Sequence, residues 1–578
     1  GTTSAPYSSG QENTAMGYLA LKNFTTGGSN TAIGRKALED VSSGGYNVAV
    51  GNEAGLNLTT GGSNVFLGIS AGGNTTDVDK AVFIGAGAVT GVATSAADGT
   101  VAIGYTAAQS LTSGAKNIAI GYEALKALTE GYNNVALGYQ AGTSIETTTS
   151  TDNTIVGDRA GTGGSGVMTY CTAIGSGALN GTGTRNSSMN TAIGVNSMGG
   201  AFGGTVNYNT AVGGNTMTGA LNAANYNVAL GYTALQALTT GDNNVAVGYA
   251  AGVSLTSGGS NVMIGNEAYK AGTSSTVVAI GSEAAKTTTV NDGVWIGPSA
   301  NKLGTGGGGG TIVGHFAGVY AHGTGMVNVG QNAGRYMSGS YNVFVGHDAG
   351  LGGTTSAPYG TGINNVGIGT DSLRAITTGD KNTALGEGSG DNITTGDFNT
   401  YIGFQARASA ADINDEIVLK AGTDALAGGG TETIRIGVDS DYIVNDFGEN
   451  ATWTHSSDRR VKKDIKDTNL GLEFILKLQP KEFKKKAPSE YPPEFEQYNS
   501  ETTERKNPDK THYGFVAQEV KEAMDLVGHS EFPVWSKQDD GMEMLGETEL
   551  ITPLVKAVQE LTEVVKSQQK EIEELKKK

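Results

Sequence analysis

Apolar and polar positions return along this chain with a beat of 16 to 19 residues. The recurring phrase is Asn, three mostly apolar residues, then Gly, as in Asn13-Thr14-Ala15-Met16-Gly17 and Asn30-Thr31-Ala32-Ile33-Gly34. It occurs 23 times, its closing glycines running from Gly17 to Gly403, and only the step from Gly346 to Gly369 is longer. A period held over about four hundred residues predicts stacked coils rather than a globular domain.

One repeat, Asn227-Val228-Ala229-Leu230-Gly231-Tyr232-Thr233-Ala234-Leu235, predicts the coil. Alternation places Val228 and Leu230 on one face of a short strand and Ala229 on the other. With the alanines outward, the coil presents a small, flat face suited to another copy of the chain. Thr233-Ala234-Leu235 predicts a second short strand, and Thr239-Thr240-Gly241-Asp242-Asn243 a corner, since Gly and Asn accept positive φ. At about 4.8 Å per coil, 23 coils predict a rod of roughly 110 Å. Asparagines at one place in successive coils should form a hydrogen-bonded ladder, and glycines at another should let backbones approach closely. So thin a coil buries little alone, so an oligomer is expected.

The 91 glycines among 578 residues show no Gly-X-Y period, which excludes collagen, and the regular Val, Ile, Leu and Ala argue against disorder. The net charge is −18, and residues 457–578 hold 21 of the 38 basic and 25 of the 56 acidic side chains. The preceding stretch is therefore charge-poor and acidic, with no footprint for nucleic acid or an anionic membrane. No apolar run is long enough to span a bilayer as a helix. Cys171 stands alone, which excludes an intrachain disulfide and a cysteine metal site; it is expected as a small apolar residue. No cofactor and no metal are expected.

Composition divides the chain into a repetitive shaft (1–410), a β neck (411–456) and a C-terminal domain (457–578). The neck is predicted from Glu416-Ile417-Val418-Leu419 and Glu432-Thr433-Ile434-Arg435-Ile436. Beyond it lie seven of the ten prolines and only five glycines. Ile551, Leu554, Val558, Leu561, Val565, Gln568, Ile572 and Leu575 are spaced alternately by 3 and 4, a heptad seam predicting a coiled coil over 550–578. Pro553 falls in the first turn, where a missing N–H costs little. The alternative is one amphipathic helix on a globular core.

Ser457 and Lys462 are the one pair here with catalytic potential. A serine nucleophile needs a base, and lysine serves when burial or nearby cations favour its neutral form; Arg459, Arg460 and Lys463 are such cations. The plain alternative is a basic helix start capped by Ser457 or Asp458.

Residues 13 to 406 resemble the head repeats of trimeric autotransporter adhesins, a parallel β-roll family with an Asn-x-Ala-Ile-Gly phrase. The resemblance implies a trimeric parallel β-roll or β-solenoid of about 23 coils, with larger corners than usual. The stretch Ser457-Asp458-Arg459-Arg460-Val461-Lys462-Lys463-Asp464-Ile465 resembles the C-terminal intramolecular chaperone of endosialidase-type phage tailspikes. So do Leu478-Gln479-Pro480-Lys481-Glu482-Phe483, Gly514-Phe515-Val516-Ala517-Gln518-Glu519-Val520 and the helix start from Glu549 to Glu560. This resemblance implies a small α+β chaperone domain that trimerises, assists assembly of the preceding β structure and cuts itself off. Ser457 would attack the carbonyl of Ser456, with Lys462 as general base.

The expected function is therefore structural and adhesive: the distal part of a homotrimeric phage tail fibre or tailspike, assembled in the host cytoplasm and exposed on the virion. Gly1-Thr2-Thr3-Ser4-Ala5-Pro6-Tyr7 recurs at Gly353–Tyr359, so a longer protein is expected, with an N-terminal part attached to the virion. Its partner would be a host-surface receptor, a polysaccharide among the candidates. A bacterial trimeric surface adhesin is one alternative, though it should end in a membrane β-barrel. A polysaccharide-degrading tailspike is another and needs paired carboxylates. Binding is expected where the beat stumbles, around Gly138–Gly231 and Gly346–Gly369. Tyr18, Tyr122, Tyr139, Tyr232 and Tyr249 follow repeat glycines; packing over a corner is the plain expectation, stacking on sugars the functional one. Gly306 to Gly310 is expected as a flexible loop.

Overall fold

The computed structural model describes the chain apart from residues 1–8, 146–148, 305–307, 354–358, 440, 448–449, 456–458, 496–497, 499, 505–508 and 539–540. The chain divides into two units, Gly1–Ser456 and Ser457–Lys578.

The first unit is built on one parallel sheet. Its 23 repeat strands, Thr14–Met16 through Thr400–Ile402, have three residues each. Each strand pairs in strict register with the next, Ala15 beside Ala32 and Ala32 beside Ala49. The parallel stacking runs on past the last phrase, through Ile417–Ala421 and Thr433–Val438. Direction then reverses in two antiparallel strands, Asp441–Asp446 and Asn450–His455.

The orientation of the strands is opposite to the sequence expectation. Ala229 is fully buried, while Val228 and Leu230 are 39% and 47% exposed. The cause is the width of the coil. Its interior accommodates one side chain from each strand, which meets Ala234, Leu235 and Leu238 from the far side of the coil, all fully buried. The small residue goes in, and the larger pair, Val228 and Leu230, faces out.

A size rule governs this interior. Where the central strand residue is Ala, the fourth position after the repeat glycine is often large, as in Ala229 with Leu235 or Ala211 with Met217. Where the strand residue is large, that place is often glycine. A Cβ on Gly72 would lie 2.7 Å from the Phe66 ring, and one on Gly350 would overlap Phe344. A coil ahead of a large residue makes room too: a Cβ on Gly390 would lie 2.8 Å from Tyr401. Close packing makes each methylene count, so the volumes trade between the two walls.

The expected second strand is instead a run of turns. Thr233 and Leu235 both have positive φ, 57° and 49°. The Thr233 N–H donates to Gly214 in the coil before, and the Leu235 N–H donates to Ala251 in the coil after. Left-handed backbone at a non-glycine residue costs about 1–2 kcal/mol. Hydrogen bonds to both neighbouring coils offset it.

The two predicted columns are present. Asn47 Nδ2 donates to Asn30 Oδ1 at 3.0 Å and to the Gly61 carbonyl at 3.0 Å, while Asn64 Nδ2 donates to Asn47 Oδ1 at 2.9 Å. Each buried amide thus satisfies its neighbour and a corner carbonyl. The repeat glycines have φ near 135° and pack backbone against backbone; Gly34 is at 133°, and a Cβ there would run into the carbonyl of Gly51. The longer steps after Gly138 are absorbed at a corner, where Met168–Thr169, Ser187–Ser188 and Val206–Asn207 form a small parallel sheet of their own. Cys171 is buried beside Ser187, and burial pushes its thiol up.

The second unit is α+β. Helices α1 (Leu472–Ile475), α2 (Ala517–Leu526) and α3 (Ile551–Lys577) accompany two antiparallel pairs, Lys481–Phe483 with His512–Gly514 and Trp535–Lys537 with Glu543–Leu545. Its core gathers Leu470, Phe474, Val520, Ala523, Met524, Val534 and Leu550.

Candidate functional site: the Ser457 junction and two uncovered apolar seams

Ser456 and Ser457 lie outside the described residues, so the structure neither joins Ser457 to Lys462 nor separates them. Lys462 follows a single 3₁₀ turn, Arg459–Val461, and its N–H donates to the Arg459 carbonyl at 3.3 Å. Its side chain is exposed, as are Arg459, Arg460 and Lys463. A lysine acting as a base needs burial or crowding by cations. The cations stand nearby in sequence; the burial does not come from the described part of this chain.

Helix α3 turns an unexpected face to its own unit. Pro553 and Ala557 are buried. Glu560 Oε2 accepts the Leu472 N–H at 2.7 Å, fixing the start of α1. The heptad positions do not pack on this core: Ile551, Leu554, Val558, Leu561, Val565, Ile572 and Leu575 are all exposed. Val555 and Val564 widen the seam. An apolar stripe that avoids its own core and repeats by heptads is built to meet other helices.

The sheet of the first unit carries a second seam. In-register stacking aligns Val228 with Val245 and Leu230 with Val247, and so on from coil to coil. Two columns of Val, Ile, Leu and Thr thus run outward-facing along the stack. At the C-terminal end they meet an apolar cleft of ≈ 780 Å³, lined by residues including Ile402, Leu419, Ile436, Val438, Tyr442 and Ile443. Sequence reasoning missed this seam by facing the alanines outward. The signal was present in the size difference between Ala and its β-branched neighbours.

The tyrosines form columns of a third kind. Tyr105, Tyr122 and Tyr139 stack in sequence, with centroids 5.3 and 5.2 Å apart, and Tyr232 stacks on Tyr249 at 6.1 Å. Tyr105 belongs to the series although the sequence reading left it out. Tyr122 is covered on both faces, while Tyr105, Tyr139, Tyr232 and Tyr249 each have one face covered by a neighbouring ring. A different aromatic group, Tyr320, Tyr336 and Tyr359, stacks beside the long step, with Tyr320 and Tyr359 only 4.2 Å apart.

Among the described residues no group of three or more His, Cys, Asp or Glu could hold a metal ion. No described helix is long and apolar enough to cross a membrane. No curated protein and no solved structure matches the chain. Residues 457–529 match the family model described as the chaperone of endosialidase, which places a chaperone domain of that kind at the C-terminal end of a β-solenoid.

Proposed function

We propose that the chain is the distal part of a homotrimeric phage tail fibre or tailspike that serves host attachment, and that residues from Ser457 onward drive its assembly and then release themselves. The observation that carries this reading is the chaperone match beginning at Ser457, the residue at which the chain divides into its two units. The two uncovered apolar seams support it, since each calls for further copies of the same chain.

The physical logic follows from the fold. Parallel coils with outward apolar faces fold slowly and aggregate readily when single. Three α3 helices joined along the heptad seam raise the local concentration of the chains and set their register. In the release step Ser457 Oγ adds to the Ser456 carbonyl carbon. Lys462 takes the hydroxyl proton and delivers it to the departing Ser457 nitrogen, and water then hydrolyses the ester. Losing the chaperone removes the route back to separate chains, which leaves the fibre kinetically trapped. The shaft would meet the host receptor outside the cell.

A denaturing gel of the purified chain tests the release step. A fragment of the size of 457–578, absent from Ser457→Ala and Lys462→Ala, is the expected result. One full-length band under all conditions removes self-cleavage and leaves the assembly role standing.

A further inference from the structure

A polar cleft of ≈ 470 Å³ crosses four consecutive coils near the start of the stack. Its lining includes Thr26, Ser43 and Thr60, then Gly28, Gly45 and Gly62, then Ser29, Tyr46 and Ser63, and it ends at Asp79 and Lys80. In chain order the glycines lie between two rows of hydroxyl side chains. They are tightly stacked; a Cβ on Gly45 would come within 3.0 Å of the Gly28 carbonyl. The floor is therefore backbone, and the hydroxyls stand beside it.

Tyr46 sets this cleft apart. The residue is 73% exposed, and its ring makes no ring contact among the described residues. The corresponding places in the coils before and after hold Ser29 and Ser63, so no aromatic neighbour covers either face, unlike the self-stacked columns at Tyr105–Tyr139 and Tyr232–Tyr249. The one full charge of each sign, Asp79 and Lys80, balances at the cleft's end. Asp79 is already committed, accepting the Gly62 N–H at 2.6 Å.

We propose that this cleft binds a neutral linear polysaccharide lying along the stack, with one sugar ring on the open face of Tyr46 and its neighbours hydrogen-bonded to the Thr and Ser rows. The coil spacing, about 4.8 Å, is close to the advance of one pyranose residue in an extended chain, so each coil offers one sugar the same hydroxyl. An aromatic face supplies the apolar contact and the hydroxyl rows the polar one, the usual division in a ligand site. Glu12, which accepts from the Ser29 hydroxyl at 3.2 Å, adds a negative charge beside the cleft, and this disfavours acidic polymers. The proposal rests on the host-attachment reading and names its site.

Affinity electrophoresis of the full chain tests it, in gels containing hydroxyethyl cellulose, dextran or soluble glycol chitin, with hyaluronate as the acidic comparison. The expected result is retardation by at least one neutral polymer and none by hyaluronate. Tyr46→Ala should weaken that retardation at least fivefold, Tyr46→Phe should preserve it, and Tyr122→Ala, in a self-stacked column, should leave it unchanged. Retardation unaffected by Tyr46→Ala, equal loss in Tyr122→Ala, or no retardation by any neutral polymer overturns the cleft. A pull-down on a panel of whole bacteria separates the two readings: wild-type chain that binds cells while the Tyr46 result fails leaves attachment intact and removes only this site.

Discussion

Tyr401 donates its phenolic hydroxyl to Glu416 Oε2 at 3.1 Å, at the point where the asparagine column ends. Glu416 occupies the next place in that column, and its N–H donates to Asn399 Oδ1 at 2.9 Å, as another asparagine's would. Its carboxylate closes the column. Oε2 also accepts from the Ser409 N–H at 3.1 Å, and Oε1 from the Gly430 N–H at 2.9 Å. Burial and the adjacent carboxylate push the Tyr401 phenol well above its ordinary range.

Glu416→Ala leaves one buried donor, the Tyr401 hydroxyl, and two part-buried N–H groups without their acceptor, so it should destabilise the end of the sheet by about 2–4 kcal/mol. Glu416→Gln keeps one acceptor oxygen and should cost less. Thermal unfolding followed by circular dichroism compares the two, and equal losses would contradict a specific carboxylate cap.

The trade in volume between the two walls of the coil predicts a rescue. Phe344→Ala alone opens a cavity and should cost about 3–5 kcal/mol. Gly350→Leu alone overpacks the same space and should also destabilise. The double variant recreates the pairing of Ala229 with Leu235, whose φ of 49° is close to the 55° of Gly350. It should recover most of the combined loss in a double-mutant cycle; additive losses would show that the two walls do not share one volume.

Glu267 and Glu283 each stand between two lysines, in a run of ion pairs from Lys270 through Lys286 to Lys302. Hydrogen bonds from Lys270 and then Lys286 lower the Glu267 carboxyl from 4.5 to about 2. A carboxyl depressed in the folded state adds stability that is fully present above its unfolded value, and that stability is lost as pH falls through the folded one. The contribution should therefore fade between pH 4.5 and about 2. Glu267→Gln should flatten the melting temperature's dependence on pH across that window. An unchanged slope would mean that the lysines do not hold the charge. The groups lie near the surface, so added salt should weaken the effect.

The parallel stack, the asparagine column and the close glycine column were legible in the sequence because each follows from a residue type recurring at one period. The orientation of the strands was not read correctly. Periodicity of two separates Ala229 from Val228 and Leu230 but does not say which face is inside; the narrow interior decides that, and it is a property of the closed coil. The Thr233–Leu235 segment reads as a strand by residue type, yet alternating left-handed residues make it a run of turns. The heptads of α3 were legible, whereas the use of Pro553, Ala557 and Glu560 on the opposite face was not; Leu472, the partner of Glu560, lies 88 residues away in sequence. The chaperone resemblance was legible from the motif at 457–465, and the family match begins at Ser457.

The central claim is that copies of this chain cover one another's apolar seams. Sedimentation equilibrium of the purified full chain at neutral pH, with Ser457→Ala to keep it in one piece, tests this most directly. The predicted result is a single species at three times the 58.8 kDa chain mass, reduced toward the single-chain mass when Leu554, Val558 and Leu561 are replaced by Glu before assembly. A stable, soluble single chain with all its apolar seams intact would contradict the account.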